Sequence, residues 1–145
     1  MEKVISFYLE EDFFGIDLNS VKEINRHNHY TEVPGSKESV IGIINMRGQI
    51  ITLLDLAYIM SYGATEDISA KTCIILKNDT GSQGNQAGFI IDRAGDVLDI
   101  PSDICESPPA NLEGVKGIYI KKVARLEESL LMIIDAKKIL DSQIQ

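Results

Sequence analysis

Val40-Ile41-Gly42-Ile43-Ile44-Asn45-Met46-Arg47-Gly48-Gln49-Ile50-Ile51-Thr52-Leu53-Leu54-Asp55-Leu56 is the stretch around which the chain is organised. An aliphatic run meets an Arg-Gly corner. A second aliphatic run leads to an Asp suited to cap a short helix. Two strands joined by a glycine-containing corner is the direct reading. Arg47 stands between two runs that face a core, so it belongs at a strand end. There it pairs with a carboxylate, presents its donors to a partner, or is simply a solvated turn arginine.

The surrounding composition narrows the function classes. The chain has 145 residues, 44% of them hydrophobic, and a net charge of -8. That length suits one globular unit or two small, closely packed ones. The acidic balance argues against nucleic acid and against an anionic membrane surface, both of which need a basic face. No apolar run reaches the roughly 18–20 residues needed to cross a bilayer. The N-terminus runs directly into strand-like sequence without a secretory pattern, so a cytoplasmic location is expected. Cys73 and Cys105 fit no metal or redox spacing and are expected to be reduced thiols.

Period-2 alternation places strands at Ile5–Leu9 and Phe14–Leu18, forming a hairpin, and again at Val21–Arg26, with Glu23 on the face opposite Ile24. After the central stretch, Gly63–Asp67 reads as a linker. Strands are expected at 72–76, 88–91, 96–100, 115–123 and 130–134, and Asp135 is expected to cap a closing helix. The halves resemble each other. Gly15–Ile24 aligns with Gly88–Val97 at an offset of 73. Val40–Ile43 aligns with Val115–Ile118 at 75, and Ile51–Asp55 with Leu131–Asp135 at 80. Three collinear matches suggest two copies of a strand-rich unit of about 70 residues, packed together with a groove between them. The approximate subdomains are 1–66 and 67–145, with an exchange of terminal strands left open.

No catalytic constellation emerges. His27 and His29 share a strand face, but no third metal ligand has suitable spacing. Gly81, Gly84 and Gly88 match no phosphate-binding fingerprint and read as a hairpin loop. Asp55 and Asp135 occupy matched positions, which favours helix caps over an acid–base pair. No nucleophile turn is present. No cofactor is expected. A protein-binding module remains, and Glu23 with Arg47 is the suggestive pair: meeting at the groove, they would orient the arginine for a partner.

These features resemble the CheW family of bacterial chemotaxis coupling proteins. The resemblance rests on Val21-Lys22-Glu23-Ile24, Val33-Pro34, the stretch Val40–Ile51, Leu54-Asp55-Leu56, Gly88–Asp92 and Val97-Leu98. It runs from about Ile5 to Leu140. It implies a mainly β fold: two SH3-like five-stranded β-barrel subdomains packed together, with a few short helices. It implies a non-catalytic scaffold that couples methyl-accepting chemotaxis receptors to a CheA-type histidine kinase. The protein would be cytoplasmic and recruited to membrane-associated receptor arrays. The family's receptor-side groove falls on Val21, Glu23, Gly42, Arg47, Gly48 and Val97. The kinase-side surface is carried over only as a region. Met46 stands where the family more often has Leu, and Ala94-Gly95 where it has Val and a varied residue, which loosens the placing of Val97. No receiver domain follows Leu140, and the Met1 start suits a free-standing adaptor, although the kinase's regulatory domain shares the fold. The alternatives are an adaptor of the same fold in another chemosensory pathway, such as one for pili or surface behaviour, and then a small-ligand-binding β-barrel.

Overall fold

The computed structural model describes residues 1–26, 29–82, 86–109 and 114–144. The strands are β1 (Glu2–Leu9), β2 (Asp12–Asp17), β3 (Val21–Asn25), β4 (Val40–Met46), β5 (Gln49–Asp55), β6 (Thr72–Leu76) and β7 (Ala87–Ile91). They continue with β8 (Arg93–Ile100), the two-residue β9 (Cys105–Glu106), β10 (Ile120–Arg125) and β11 (Leu130–Ile134). The helices are α1 (Leu56–Ile59), α2 (Gly114–Tyr119) and α3 (Ala136–Gln143). The expected mainly β fold in two units is what the chain forms.

One sheet runs β8-β1-β2-β11-β10-β9 and the other β3-β6-β7-β5-β4. The strands therefore exchange hairpins across residue 66. The β1–β2 hairpin joins the C-terminal strands, and the β6–β7 hairpin joins β3 to β5. Neither sheet closes on itself by backbone bonds among the described residues.

Burial follows from this exchange. Phe7 and Phe14 stack at 5.6 Å between ring centroids, in a shared core with Leu54, Ile74, Phe89 and Ile139. That core takes residues from both sheets and holds them together. The opposite face of the second sheet encloses its own cluster of Ile44, Met46, Ile51, Leu53, Ile75 and Ile90. A third cluster, around Val4, Ala124 and Leu131, lies within the first sheet. Strands β6 and β7 are thus buried on both faces, which explains their unbroken apolar runs.

The repeat is real, but one of its three alignments is not. Val40 pairs with Leu54 and Ile120 with Ile134, each member eighty residues beyond its counterpart (40 to 120, 54 to 134). Both hairpins carry a register shift next to that pair, between Val40 and Gly42 and between Ile120 and Lys122. The counterpart of β4 is therefore β10, whereas Val115–Ile118 lies in α2. The expected strand over 115–123 begins only at Ile120. Val115, Ile118 and Tyr119 are spaced as well for one helical turn as for a strand, and so short a run does not discriminate. The offset of 73 stands. Gly15 lies beside Ile133, and Gly88 beside Leu53, in equivalent parallel pairings.

Both repeats end alike. Asp55 Oδ1 accepts the Tyr58 N–H at 3.2 Å, and Asp135 Oδ1 accepts the Lys138 N–H at 3.1 Å. These are N-caps of α1 and α3, as expected. Asp55 is only 2% exposed, and its oxygens also take the Thr65 N–H and hydroxyl. The residues expected to be a linker thus fasten back onto the cap through Thr65.

Candidate functional site: the Glu23–Arg47 corner

The β4–β5 hairpin turns on two residues, because Met46 pairs with Gln49. Arg47 has φ 54° and Gly48 φ 83°. Two consecutive left-handed residues are the pattern of the turn whose twist suits a two-residue hairpin. Glycine adopts that conformation freely and arginine at a cost. Asn45 Oδ1 accepts the Gly48 N–H at 3.1 Å and secures the corner.

Strands β3 and β4 are the two edges of the second sheet, and at this corner side chains bridge them. Arg47 Nη1 donates to Glu23 Oε2 at 2.8 Å, with Nη2 at 3.5 Å from Oε1. Lys22 Nζ reaches Gln49 Oε1 at 3.4 Å, and Asn25 Nδ2 lies 3.8 Å from Met46 Sδ. The sheet edges are thus joined by side chains where no backbone ladder joins them. The Arg47 side chain remains 71% exposed against 27% for Glu23. The hydrogen bond from Arg47, and then that from Asn25, hold the Glu23 carboxyl below its usual range. The same contact raises Arg47. Behind the pair, burial pushes the Cys73 thiol up to about 12, with the Glu23 charge adding to it. Cys73 is accordingly a packed, inert thiol.

The six residues expected at a receptor-side groove are distributed unevenly. Glu23, Arg47 and Gly48 come together at the corner. Val21 opens the same strand but is 9% exposed and belongs to the core shared by both sheets. Gly42 is buried beneath residues 30 and 31: a Cβ there would stand 2.4 Å from Thr31 O and 2.8 Å from the Tyr30 ring. Thr31 lies antiparallel along the outer edge of β4 as a strap, exchanging two backbone hydrogen bonds with Ile43. Val97 is 55% exposed on β8, an edge of the other sheet. It stands at the repeat position of Ile24 on β3, and both are apolar and exposed.

A groove of about 510 Å³ does lie between strands of the second sheet and the end of α3. It is lined by Val33, Val40, Thr52 and Ile144 among others, and by none of the six. Its wall at Val33 is part of the segment that leads on from the Thr31 strap. The sequence pattern pointed to a groove between the two halves, and this one lies between first-half residues and the end of α3, but it did not point to the strap.

The β1–β8 pairing holds a further feature. Opposite Ser6, β8 carries two residues, Gly95 and Asp96, forming a bulge between the Ile5–Val97 and Phe7–Ala94 pairs. The buried Ser6 Oγ accepts the Asp96 N–H at 2.8 Å and donates to Asp96 O at 2.9 Å. The Ala94-Gly95 departure is therefore built into a bulge that fixes where Val97 falls.

His27 lies outside the described residues, as does Gly84. Among the described residues no group of three His, Cys, Asp or Glu side chains could hold a metal ion. No helix among them is long and apolar enough to cross a membrane.

Comparison with known proteins agrees with this geometry. The CheW-like domain family model matches residues 3–143. Chemotaxis protein CheW of Bacillus subtilis is 30% identical over 142 residues, covering 98% of this chain and 88% of that protein. Its namesake in Treponema pallidum is 29% identical, covering 97% and 83%. The crystal structure of scaffolding protein TtCheW from Thermoanaerobacter tengcongensis superposes with a TM-score of 0.79 at 28% identity, over 92% of this chain and 88% of that one. A family match over almost every residue, a solved relative of the same fold and the Arg-Gly corner together establish that this chain belongs to the CheW-like domain family.

Proposed function

We propose that this protein is a non-catalytic scaffold of bacterial chemotaxis, coupling methyl-accepting receptors to a CheA-type histidine kinase. The observation that carries the reading is the end-to-end family match, with a solved relative described as a scaffolding protein. The geometry supports it locally. Arg47 is held by Glu23, yet most of its side chain faces solvent, so it is oriented before any partner arrives. On this reading Arg47, Glu23 and Gly48 form the polar edge of the receptor site and Val97 adds an apolar contact. Val21 and Gly42 act from below, Val21 by packing β3 and Gly42 by seating the Thr31 strap. The kinase regulatory domain docks elsewhere, on exposed apolar residues at a subdomain end. Receptor and kinase held in one assembly then bias each other's states. The protein works in the cytoplasm, at membrane-associated receptor arrays.

The test is co-sedimentation with a receptor signalling fragment and the kinase. Wild type should bring the kinase down with the receptor. Arg47→Glu places two carboxylates face to face and should weaken receptor binding roughly tenfold or more, leaving kinase binding and melting intact. If wild type binds neither partner, the coupling role is wrong for this pathway.

A further inference from the structure

Asn25 lies at the corner without being part of the motif that marks it. It follows Glu23 by two residues on β3, so the two side chains share one face of the strand. Its Nδ2 donates to Glu23 Oε1 at 3.0 Å and reaches Met46 Sδ across the seam between the sheet edges. Its Oδ1 is buried and has no hydrogen-bond partner among the described residues.

That imbalance is informative. Reversing the amide would set Oδ1 against the Glu23 carboxylate, two acceptors facing each other, and would withdraw the donor from both contacts. The amide direction is therefore dictated by Glu23, at the expense of Oδ1. A glutamate on an edge strand otherwise has three rotatable bonds and water on most sides. An arginine bonded to such a carboxylate would share its freedom, which is why exposed ion pairs hold geometry poorly. Here one oxygen is anchored by Asn25 and the other faces Arg47 Nη1 at 2.8 Å. The plane of the carboxylate is thereby set, and with it the direction of the guanidinium.

We infer that Asn25 is a positioning residue of the Arg47 site: by holding Glu23 Oε1 it fixes the orientation in which Arg47 meets its partner. This rests on the reading of Arg47 as a receptor contact and deepens it. Asn25 touches no partner itself and acts through Glu23.

Two variants test it. Asn25→Leu keeps the branched outline and removes the donor, and Asn25→Asp keeps the shape and replaces the donor with an acceptor. Either one that retains a wild-type-like spectrum suffices. In the free protein, carbon-detected NMR follows the Glu23 carboxyl titration, and nitrogen relaxation follows Arg47 Nε. Affinity for a receptor signalling fragment is then measured in the wild-type and Arg47→Ala backgrounds. The expected result is an upward shift of the Glu23 midpoint, greater Arg47 side-chain motion and roughly fivefold weaker receptor binding. In the Arg47→Ala background the Asn25 substitution should add nothing. An unmoved Glu23 midpoint with unchanged Arg47 motion overturns the inference. So does an affinity loss of equal size without Arg47. If wild type binds no receptor fragment, the receptor reading fails, and the titration and relaxation still decide the role of Asn25.

Discussion

Gly42→Ala tests whether Gly42 serves the site directly or by seating the strap. A Cβ at this position would stand 2.4 Å from Thr31 O, 3.0 Å from Thr31 C and 2.8 Å from Tyr30 Cδ2. The first two are backbone atoms and cannot swing aside as a side-chain tip can. The strap must lift, and with it go the Thr31 N–H to Ile43 O bond at 2.9 Å and the Ile43 N–H to Thr31 O bond at 2.8 Å. At about 1 kcal/mol net for each, the loss is about 2 kcal/mol. For a chain near 150 residues that corresponds to a melting temperature lower by about 4–8 °C. Calorimetry reads the total, and amide hydrogen exchange reads where it falls. Thr31 and Ile43 should lose protection, while β6 and β7, buried on both faces, should keep theirs. A melting temperature within about 1 °C of wild type, or a lower one with both strap amides still protected, refutes the reasoning. In that case Gly42 is needed for something other than the strap.

Gly95→Ala would bring a Cβ to within 2.3 Å of Ser6 Oγ, so it should break both Ser6–Asp96 bonds and cost about 2 kcal/mol in urea unfolding. Gly95→Ala combined with Ser6→Ala should recover part of that loss. Asp141 of α3 accepts the Ser82 N–H and hydroxyl and a lysine hydrogen bond from Lys137, which together hold its carboxyl at about 2 against an ordinary 3.8. A lowered folded-state value contributes stability above about 3.8 that fades as the pH falls towards 2. The stability gap between wild type and Asp141→Asn should therefore be constant from pH 7 to 5 and shrink between pH 4 and 2; a gap that widens on acidification contradicts the Ser82–Asp141 latch.

What the chain revealed before its structure depended on how local the information was. The ends of the repeats were legible because everything needed lies within six residues: β-branched strand, Asp, apolar helix. The Glu23–Arg47 meeting was legible for a related reason. Alternation set Glu23 opposite Ile24, and the Arg-Gly pair sat at a strand end, so both charges were held out of the core. The hairpin exchange was not legible. Period-2 alternation reports which face a residue takes and says nothing of which strand lies alongside. Thr72–Leu76 and Ala87–Ile91 have no alternation to offer, being buried on both sides. Ser6 alternates with Ile5 and Phe7 along β1, yet it is buried like them and serves a bulge ninety residues away in sequence. Gly42 was marked by its motif, but the reason for a glycine lies in a strap that runs along the edge of β4 from an irregular segment with no periodic signal.

The internal repeat offers a control on the corner itself. Eighty residues beyond Arg47 and Gly48 stand Glu127 and Glu128, between Leu126 and Ser129, whose backbones hydrogen-bond at 2.9 Å. Seventy-three residues beyond Glu23 stands Asp96, across the equivalent bulge. The second unit therefore turns between the same positions and keeps the same edge-strand bulge with acids in all three places, and its nearby arginine, Arg125, pairs instead with Glu106 of β9. Its corner has no positive φ and is a different turn, whereas Arg47 sits at φ 54°. If an Arg–Glu bridge or a left-handed corner were needed to close such a sheet, both units would need it. One has neither at this place, so the repeat does not by itself require the ion pair, while the φ of Arg47 belongs to the two-residue turn that its own hairpin makes. Backbone held in an unfavourable region is commonest where a side chain must point in a set direction. That asymmetry supports the proposal that the first corner, and not its repeat, meets a partner.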